Sequence, residues 1–339
     1  MVWYGHEKNN HPFLFFIASW AAPALRFART ALQLAPPDIS PSQHRDKIGV
    51  FTEEVIALKA AVPLGKWSNL RVVNFRSLTI SLWFALTLGS SHIQAEQYKP
   101  IGILTALDIE LDLLMAKAEK IQISTVGGVD YHHARLNSVE VVLARAGAYG
   151  MLPSATTSIL IHEFGVGRII FTGIAGGVAD DTQVLDVVIS TDFIIHDCGT
   201  QGNDGFVWKP DCGVNEDGSI PADSKLRRVA SSAAKQVVGE AHVFEGRIAS
   251  GEAFIASQHY VDFLRDRFDA YAVESEGGPV ARIAYEFGIP VIAIRTLSDK
   301  ANGRAHESYA NFAQEAADNS ARVVLTMLKH IAAEEMRKP

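Results

Sequence analysis

Residues 271–301 read YAVESEGGPVARIAYEFGIPVIAIRTLSDKA. A short apolar run ends at Ala272-Val273, Glu274-Ser275-Glu276 follow, and Gly277-Gly278-Pro279 open a helix that closes at Gly288. A second apolar run, Pro290 to Thr296, is rich in Val and Ile and ends in Ser298-Asp299. Strand, helix and buried strand within about 30 residues form a βαβ unit, which predicts an α/β fold with a parallel strand pair and a right-handed crossover. In open α/β sheets ligands bind at the carboxyl ends of the strands, and Glu274, Glu276 and Asp299 fall there. Each acid alone is an ordinary helix cap or turn residue. Three at the tips of two neighbouring strands are costly to assemble unless a ligand or a proton uses them.

Upstream, a similar junction appears. Pro100–Leu107 (PIGILTAL) is a strand apolar on both faces, as in a buried parallel sheet. It runs into Asp108-Ile109-Glu110, which opens an amphipathic helix through Lys120, so Glu110 also sits at a strand tip. Residues 121–145 read as a meander with turns at Gly127-Gly128 and Asn137-Ser138. A glycine-bearing loop, 145–150, precedes a helix that begins near Pro153 and ends at Gly165. Arg168–Thr172 is a buried strand that enters Gly173-Ile174-Ala175-Gly176-Gly177, where a backbone can approach a ligand closely. Leu185–Ser190 is a further strand. The segment after it, to Pro221, reads as irregular. A helix over Ala222–Val238, a strand over His242–Ala249, the turn Ser250-Gly251-Glu252 with Ala253-Phe254-Ile255, and a closing helix over Ser308–Glu335 complete the domain. The apolar stripe of that last helix (Phe312, Ala316, Val323, Val324, Met327, Leu328) predicts core packing.

The chain has 339 residues, is 48% hydrophobic and carries a formal net charge of −7. No basic stripe points to nucleic acid. The run 173–177 fits neither GxxxxGK[ST] nor GxGxxG, which argues against a nucleoside-triphosphate site, and no cysteine–histidine spacing predicts a metal. Residues 1–95 read as an N-terminal extension separate from a catalytic domain over 99–335. Within the extension, residues 72–95 have the layout of a signal peptide: Arg76, an apolar core from Leu78 to Gly89, and small polar residues up to Ala95. This predicts a translation start near residues 70–73, cleavage at Ala95-Glu96, and a periplasmic or secreted product without a stable membrane anchor. The alternative is a buried helix in a cytoplasmic protein.

With these pieces in place the sequence resembles the nucleoside phosphorylase superfamily, and within it the 5′-methylthioadenosine/S-adenosylhomocysteine nucleosidases. Four motifs carry the resemblance: IGILTALDIEL at 101–111, FTGIAGGV at 171–178, SGEAFI at 250–255, and VESEG with RTLSD at 273–277 and 295–299. The resemblance implies a three-layer α/β/α fold with a central mixed, largely parallel twisted sheet. It implies that Glu110 is the base that positions the attacking water and Asp299, of the Ser298-Asp299 pair, the acid that protonates the leaving purine. Glu276, the second acid of Glu274-Ser275-Glu276, holds the ribose hydroxyls. Phe254 stacks on adenine, Ile255 reads the purine edge through its backbone, and Ala175 and Gly176 pass close to the ligand. Arg295 lies near the water site, and Tyr309 closes over the ribose. The family usually has Met at the position of Ser275, and many members have Ser where Ile174 stands. The implied substrate is a small adenine nucleoside, with no cofactor, no metal, no nucleic-acid partner and a homodimeric assembly. The segment 197–220 is the candidate for the loop that lines a partner's pocket.

Elementary chemistry agrees with these roles. Cleaving an N-glycosidic bond passes through an oxocarbenium-like sugar, so the departing base needs a proton and water needs a base on the other side. Two alternatives remain from the residues. A phosphorylase on this fold must hold phosphate with cationic and hydroxyl donors, whereas Phe171 and Ile174 are apolar. A non-catalytic nucleoside-binding or storage protein would not need Glu110, Glu276 and Asp299 together. Cys198 and Cys212, the only two cysteines, are either separate buried thiols or a disulfide.

Overall fold

The computed structural model describes residues 99–337, so the extension and its expected signal segment lie outside the described residues. In chain order the elements are β1 (Ile101–Thr105), α1 (Asp108–Lys117), β2 (Glu119–Val126), β3 (Val129–Leu136), β4 (Val139–Arg145), α2 (Met151–His162), β5 (Arg168–Gly177) and β6 (Val187–Ile195). They continue with β7 (Gly199–Gly202), β8 (Gly205–Trp208), β9 (Ser219–Pro221), α3 (Ser224–Val238), β10 (Val243–Ser250) and α4 (Gln258–Phe268). The last four are β11 (Ala270–Glu274), α5 (Gly277–Glu286), β12 (Val291–Asp299) and α6 (Ala305–Glu335).

One large sheet runs β11-β10-β6-β12-β5-β1-β4-β3-β2, with β9 on β6, while β7 and β8 form a separate hairpin. Pairings β1–β4, β1–β5, β5–β12, β6–β10 and β10–β11 are parallel. The meander pairs and β6–β12 are antiparallel. This is the expected mixed, largely parallel sheet. Its strand residues alternate between two cores. Ile101, Ile103, Val141, Leu143, Ile170, Ile292 and Ile294 face α1, α3 and α6 through Leu114, Ala230, Val324 and Leu328. Leu104, Val142, Ala144, Ile169, Phe171 and Ala293 face α2 and α5 through Leu160, Val280 and Ala284. Helices therefore cover both faces, and every residue of β12 is buried.

Several expectations need correction. The strands of the opening stretch, β11 and β12, are not partners, because β10 and β6 stand between them. Instead β11 pairs antiparallel with the end of β5, Ala272 opposite Gly177 and Val273 opposite Gly176, so β11-β10-β6-β12-β5 closes on itself. That closure, rather than direct pairing, draws the acids of β11 and β12 together. Gly173–Gly177 stays in β5 rather than leaving it as a loop. At position 173 a β-carbon would collide with the carboxylate of Glu110 and crowd Nη1 of Arg295, so this strand requires glycine where it meets the acid. The segment expected to be irregular holds the end of β6 and three short strands. The helix α4 was not anticipated. Phe312 lies on the exposed margin of α6, while the other stripe residues are buried. Of the two readings of the cysteines, the disulfide holds: Cys198 and Cys212 are bonded, with Cα atoms 6.1 Å apart, within the usual range.

Candidate active site

The first acid enters on α1. Glu110 lies in the first turn of that helix and is only 2% exposed. Its Oε2 accepts from the backbone N–H groups of Ala106 (2.7 Å) and Leu107 (2.8 Å), and its Oε1 accepts from that of Ile174 (2.9 Å). One carboxylate thus ties the end of β1 to the middle of β5. Burial pushes its pKa upward, while the Arg295 charge and the three N–H donors pull against that rise without cancelling it.

Asp299 ends β12. The ladder with β5 slips between Leu297 and Asp299, leaving Ser298 as the extra residue. Such a bulge re-aims the side chain that follows it. Asp299 Oδ1 accepts from the Ala301 N–H (2.6 Å), and Oδ2 accepts from Ser298 Oγ (2.9 Å). Burial raises its pKa against those two donors and the nearby His306.

Between them lies the pair on β11 and the start of α5. Glu276 Oε1 accepts from the Tyr149 N–H at 3.0 Å. Burial, reinforced by the Glu274 charge, pushes Glu276 up to about 7. Glu274 is committed internally. Its Oε2 accepts from Gly277 N (2.7 Å) and from Arg295 Nη2 (2.5 Å), and its Oε1 accepts from Ser250 Oγ. Arg295 is fully buried, 3.8 Å from Glu276 through Nη2, with its guanidinium carbon 4.0 Å from the Phe171 ring centroid. It holds the carboxylates together from behind.

The four carboxylates line a cavity of about 390 Å³, within the size range of small-molecule sites. Glu110, Ala175, Gly176, Phe254, Glu274, Ser275, Glu276, Ser298, Asp299 and Tyr309 all face it. Two expected residues do not. Arg295 lies behind the wall, and the Ile255 side chain packs on the cluster around Val178 and Val261; a reading of the purine edge through the Ile255 backbone does not require that side chain in the wall. Sequence reasoning missed Ala148, Tyr149 and His306, which also line the cavity. His306 precedes Tyr309 by one helical turn, a spacing that offered the signal. Phe254 is 45% exposed; the His306 ring stacks on it at 4.6 Å and the Tyr309 ring meets it edge-on at 6.1 Å. The cavity therefore has an aromatic side next to a raised carboxyl at Asp299 and a second buried carboxyl at Glu110. Four carboxylates line it and, among the described residues, no Lys or Arg does.

The arrangement meets a family-level match. A model described as "Phosphorylase superfamily" matches residues 100–329. A 5′-methylthioadenosine/S-adenosylhomocysteine nucleosidase of Bacillus licheniformis is 32% identical over 232 residues, covering 68% of this chain and 99% of the relative. An aminodeoxyfutalosine nucleosidase of Helicobacter pylori is 30% identical over 240 residues, with the same coverage. Among solved structures, the 5′-methylthioadenosine/S-adenosylhomocysteine nucleosidase of Neisseria meningitidis in complex with methylthio-immucillin-A superposes with a TM-score of 0.63 at 30% identity, covering 68% of this chain and 99% of that one.

Proposed function

The chain belongs to the phosphorylase superfamily, and from that premise we propose that it is an N-glycosyl hydrolase that releases adenine from 5′-methylthioadenosine, S-adenosylhomocysteine or a related 5′-substituted adenosine. One observation carries the choice of water over phosphate. The cavity is lined by Glu110, Glu274, Glu276 and Asp299 and by no Lys or Arg among the described residues. Among the described residues the one buried guanidinium, Arg295, is held by Glu274 behind the wall. A phosphate dianion would meet carboxylates and the apolar Ile174, a costly environment for an unpaired charge.

In this reading the adenine ring lies against Phe254, beside Asp299. Asp299, whose proton is held more tightly because burial raises its pKa, donates that proton to the purine nitrogen as the glycosidic bond lengthens. Glu276 accepts hydrogen bonds from the ribose hydroxyls and its charge steadies the oxocarbenium-like sugar. Glu110 removes a proton from the water that attacks the opposite face of the sugar. The N–H groups of Ala106, Leu107 and Ile174 fix its oxygens for that task. Tyr309 covers the ribose. Adenine release from 5′-methylthioadenosine, followed by ultraviolet absorbance, tests the reading; a folded protein that binds the nucleoside without releasing adenine refutes it in favour of a binder.

The mature protein acts as a homodimer outside the cytoplasm. Exposed Met151 and Leu152 next to Tyr149, and exposed Phe206 and Val207 on the β7–β8 hairpin, support burial against a second copy. The disulfide supports an oxidising compartment. Sedimentation at micromolar concentration tests the assembly, and N-terminal sequencing of the natural product tests cleavage at Ala95-Glu96.

A further inference from the structure

Tyr149 has a positive φ of 68°, which a tyrosine adopts at a cost. The next residue, Gly150, has φ −59° and ψ −26° and caps α2. A left-handed residue followed by a right-handed one turns two successive N–H groups toward one side, a backbone nest that attracts anions. Here each N–H takes a different carboxylate. Tyr149 N donates to Glu276 Oε1 at 3.0 Å, and Gly150 N donates to Glu252 Oε1 at 2.9 Å. Glu252 is held in turn, because its own N–H donates to Asp197 Oδ2 at 2.7 Å. A β-carbon at position 150 would stand 2.7 Å from Pro279 Cγ and 2.8 Å from Glu252 Oε1, so the close approach depends on glycine there.

Glu252 also stands two residues before Phe254 and does not line the cavity. We propose that Glu252 is a positioning residue that joins the loop bearing the base platform to the strained turn that orients Glu276, so that the base and ribose subsites are set together. The proposal rests on the reading above that Phe254 meets the base and Glu276 the ribose. Without the Glu252 carboxylate, the turn at Tyr149 loses one of its two anchors and relaxes, and Glu276 loses its N–H donor. The groups that face Glu276 are then Glu274, Glu110 and Arg295 alone, and its pKa rises because the N–H that favours its charged form is gone.

The test compares Glu252→Ala with Glu252→Gln, whose carboxamide oxygen still accepts from Gly150 N. For adenine release, the alanine variant is expected to lose about tenfold or more in kcat/KM, the scale of a hydrogen bond to a charged group. The limb of its pH profile that belongs to Glu276 moves to higher pH. The glutamine variant restores both, and melting temperatures stay close to wild type. Hydrogen–deuterium exchange gives a readout independent of turnover: the amides of Tyr149 and Gly150 lose protection in Glu252→Ala and regain it in Glu252→Gln. Should Glu252→Ala fail to fold, Asp197→Ala, which frees the Glu252 backbone from the surface side, is expected to shift the same limb and the same amides. Wild-type kcat/KM and unchanged amide protection in the alanine variant would overturn the proposal. So would a loss of activity that follows melting temperature and is not rescued by glutamine. A wild-type protein that releases no adenine refutes the functional reading instead, while amide exchange still decides whether Glu252 holds the turn.

Discussion

Replacing Asp299 by Asn separates chemistry from structure at the leaving-group side. The local hydrogen bonds survive the change. The carboxamide oxygen takes the place of Oδ1 and accepts from the Ala301 N–H, now 2.6 Å away. The amide nitrogen takes the place of Oδ2 and donates to Ser298 Oγ. That hydroxyl then turns its own proton toward the Ala175 carbonyl, which lies 3.4 Å away. No buried donor or acceptor is orphaned, so the stability change stays within about 1 kcal/mol. The proton is what disappears. General acid catalysis contributes about 10²–10⁴-fold, and kcat for adenine release is expected to fall by that factor while the affinity for an unreactive nucleoside analogue changes by less than about threefold. The pH profile gives a second signature. As the proposed acid Asp299 acts while protonated, and burial raises its pKa, so kcat of the wild type is expected to fall at high pH as the carboxyl ionises, and the variant is expected to lack that limb. Initial rates by absorbance, with analogue affinity by calorimetry, provide both numbers. A variant with kcat within threefold of wild type refutes Asp299 as the acid. Parallel loss of affinity, turnover and melting temperature would make it a structural cap of the β12 end.

With Glu110 as the proposed base, Glu110→Gln is expected to lower kcat by about 10²-fold or more and to abolish the acid-side limb of the kcat profile, because a general base acts in its ionised form. Glu276 has its pKa raised from 4.5 to about 7, so kcat/KM climbs as pH rises through about 7, and Glu276→Gln lowers both affinity and turnover and removes that climb. The sign for stability is opposite: this group's contribution is intact below about pH 4.5 and is lost as pH rises through about 7, a loss on the order of 3 kcal/mol, which unfolding of the unliganded protein measures. Phe254→Ala removes the proposed base platform and is expected to raise KM by about tenfold, read from the same assay. Reducing the Cys198–Cys212 disulfide frees a loop with a sequence separation of 14 and lowers stability by up to about 3 kcal/mol; thiol titration of the denatured, unreduced protein is expected to find no free thiol.

The local elements were legible because their signals are local. The apolar runs around Ile101, Ile170 and Ile292 mark strands buried on both faces, and the acids that follow them mark the strand tips. Strand partnership was not legible. The runs of β11 and β12 carry no information about which neighbour each takes, and the pairing of Ala272 with Gly177 that closes the sheet links residues nearly a hundred positions apart. Helix α4 was not legible although Ser257 caps it and Val261, Leu264 and Phe268 form its buried stripe, because it is short and polar residues surround that narrow stripe. In the site, Glu110, Glu276, Asp299 and Phe254 came from motifs and Tyr309 from its place in the resemblance, and all five meet in one cavity. Arg295 lies behind it because its carbon skeleton follows the inward alternation of a fully buried strand. Tyr149 reaches the cavity through a backbone turn, and nothing in side-chain identity announces a positive φ at tyrosine.

The central claim, that this site uses water on a 5′-substituted adenosine, is tested most directly by running the reaction with 5′-methylthioadenosine in H₂¹⁸O at saturating phosphate and weighing the sugar product. Hydrolysis gives adenine with methylthioribose carrying one ¹⁸O, at a rate independent of phosphate. Unlabelled sugar 1-phosphate, a rate that requires phosphate, or no adenine at all would contradict it.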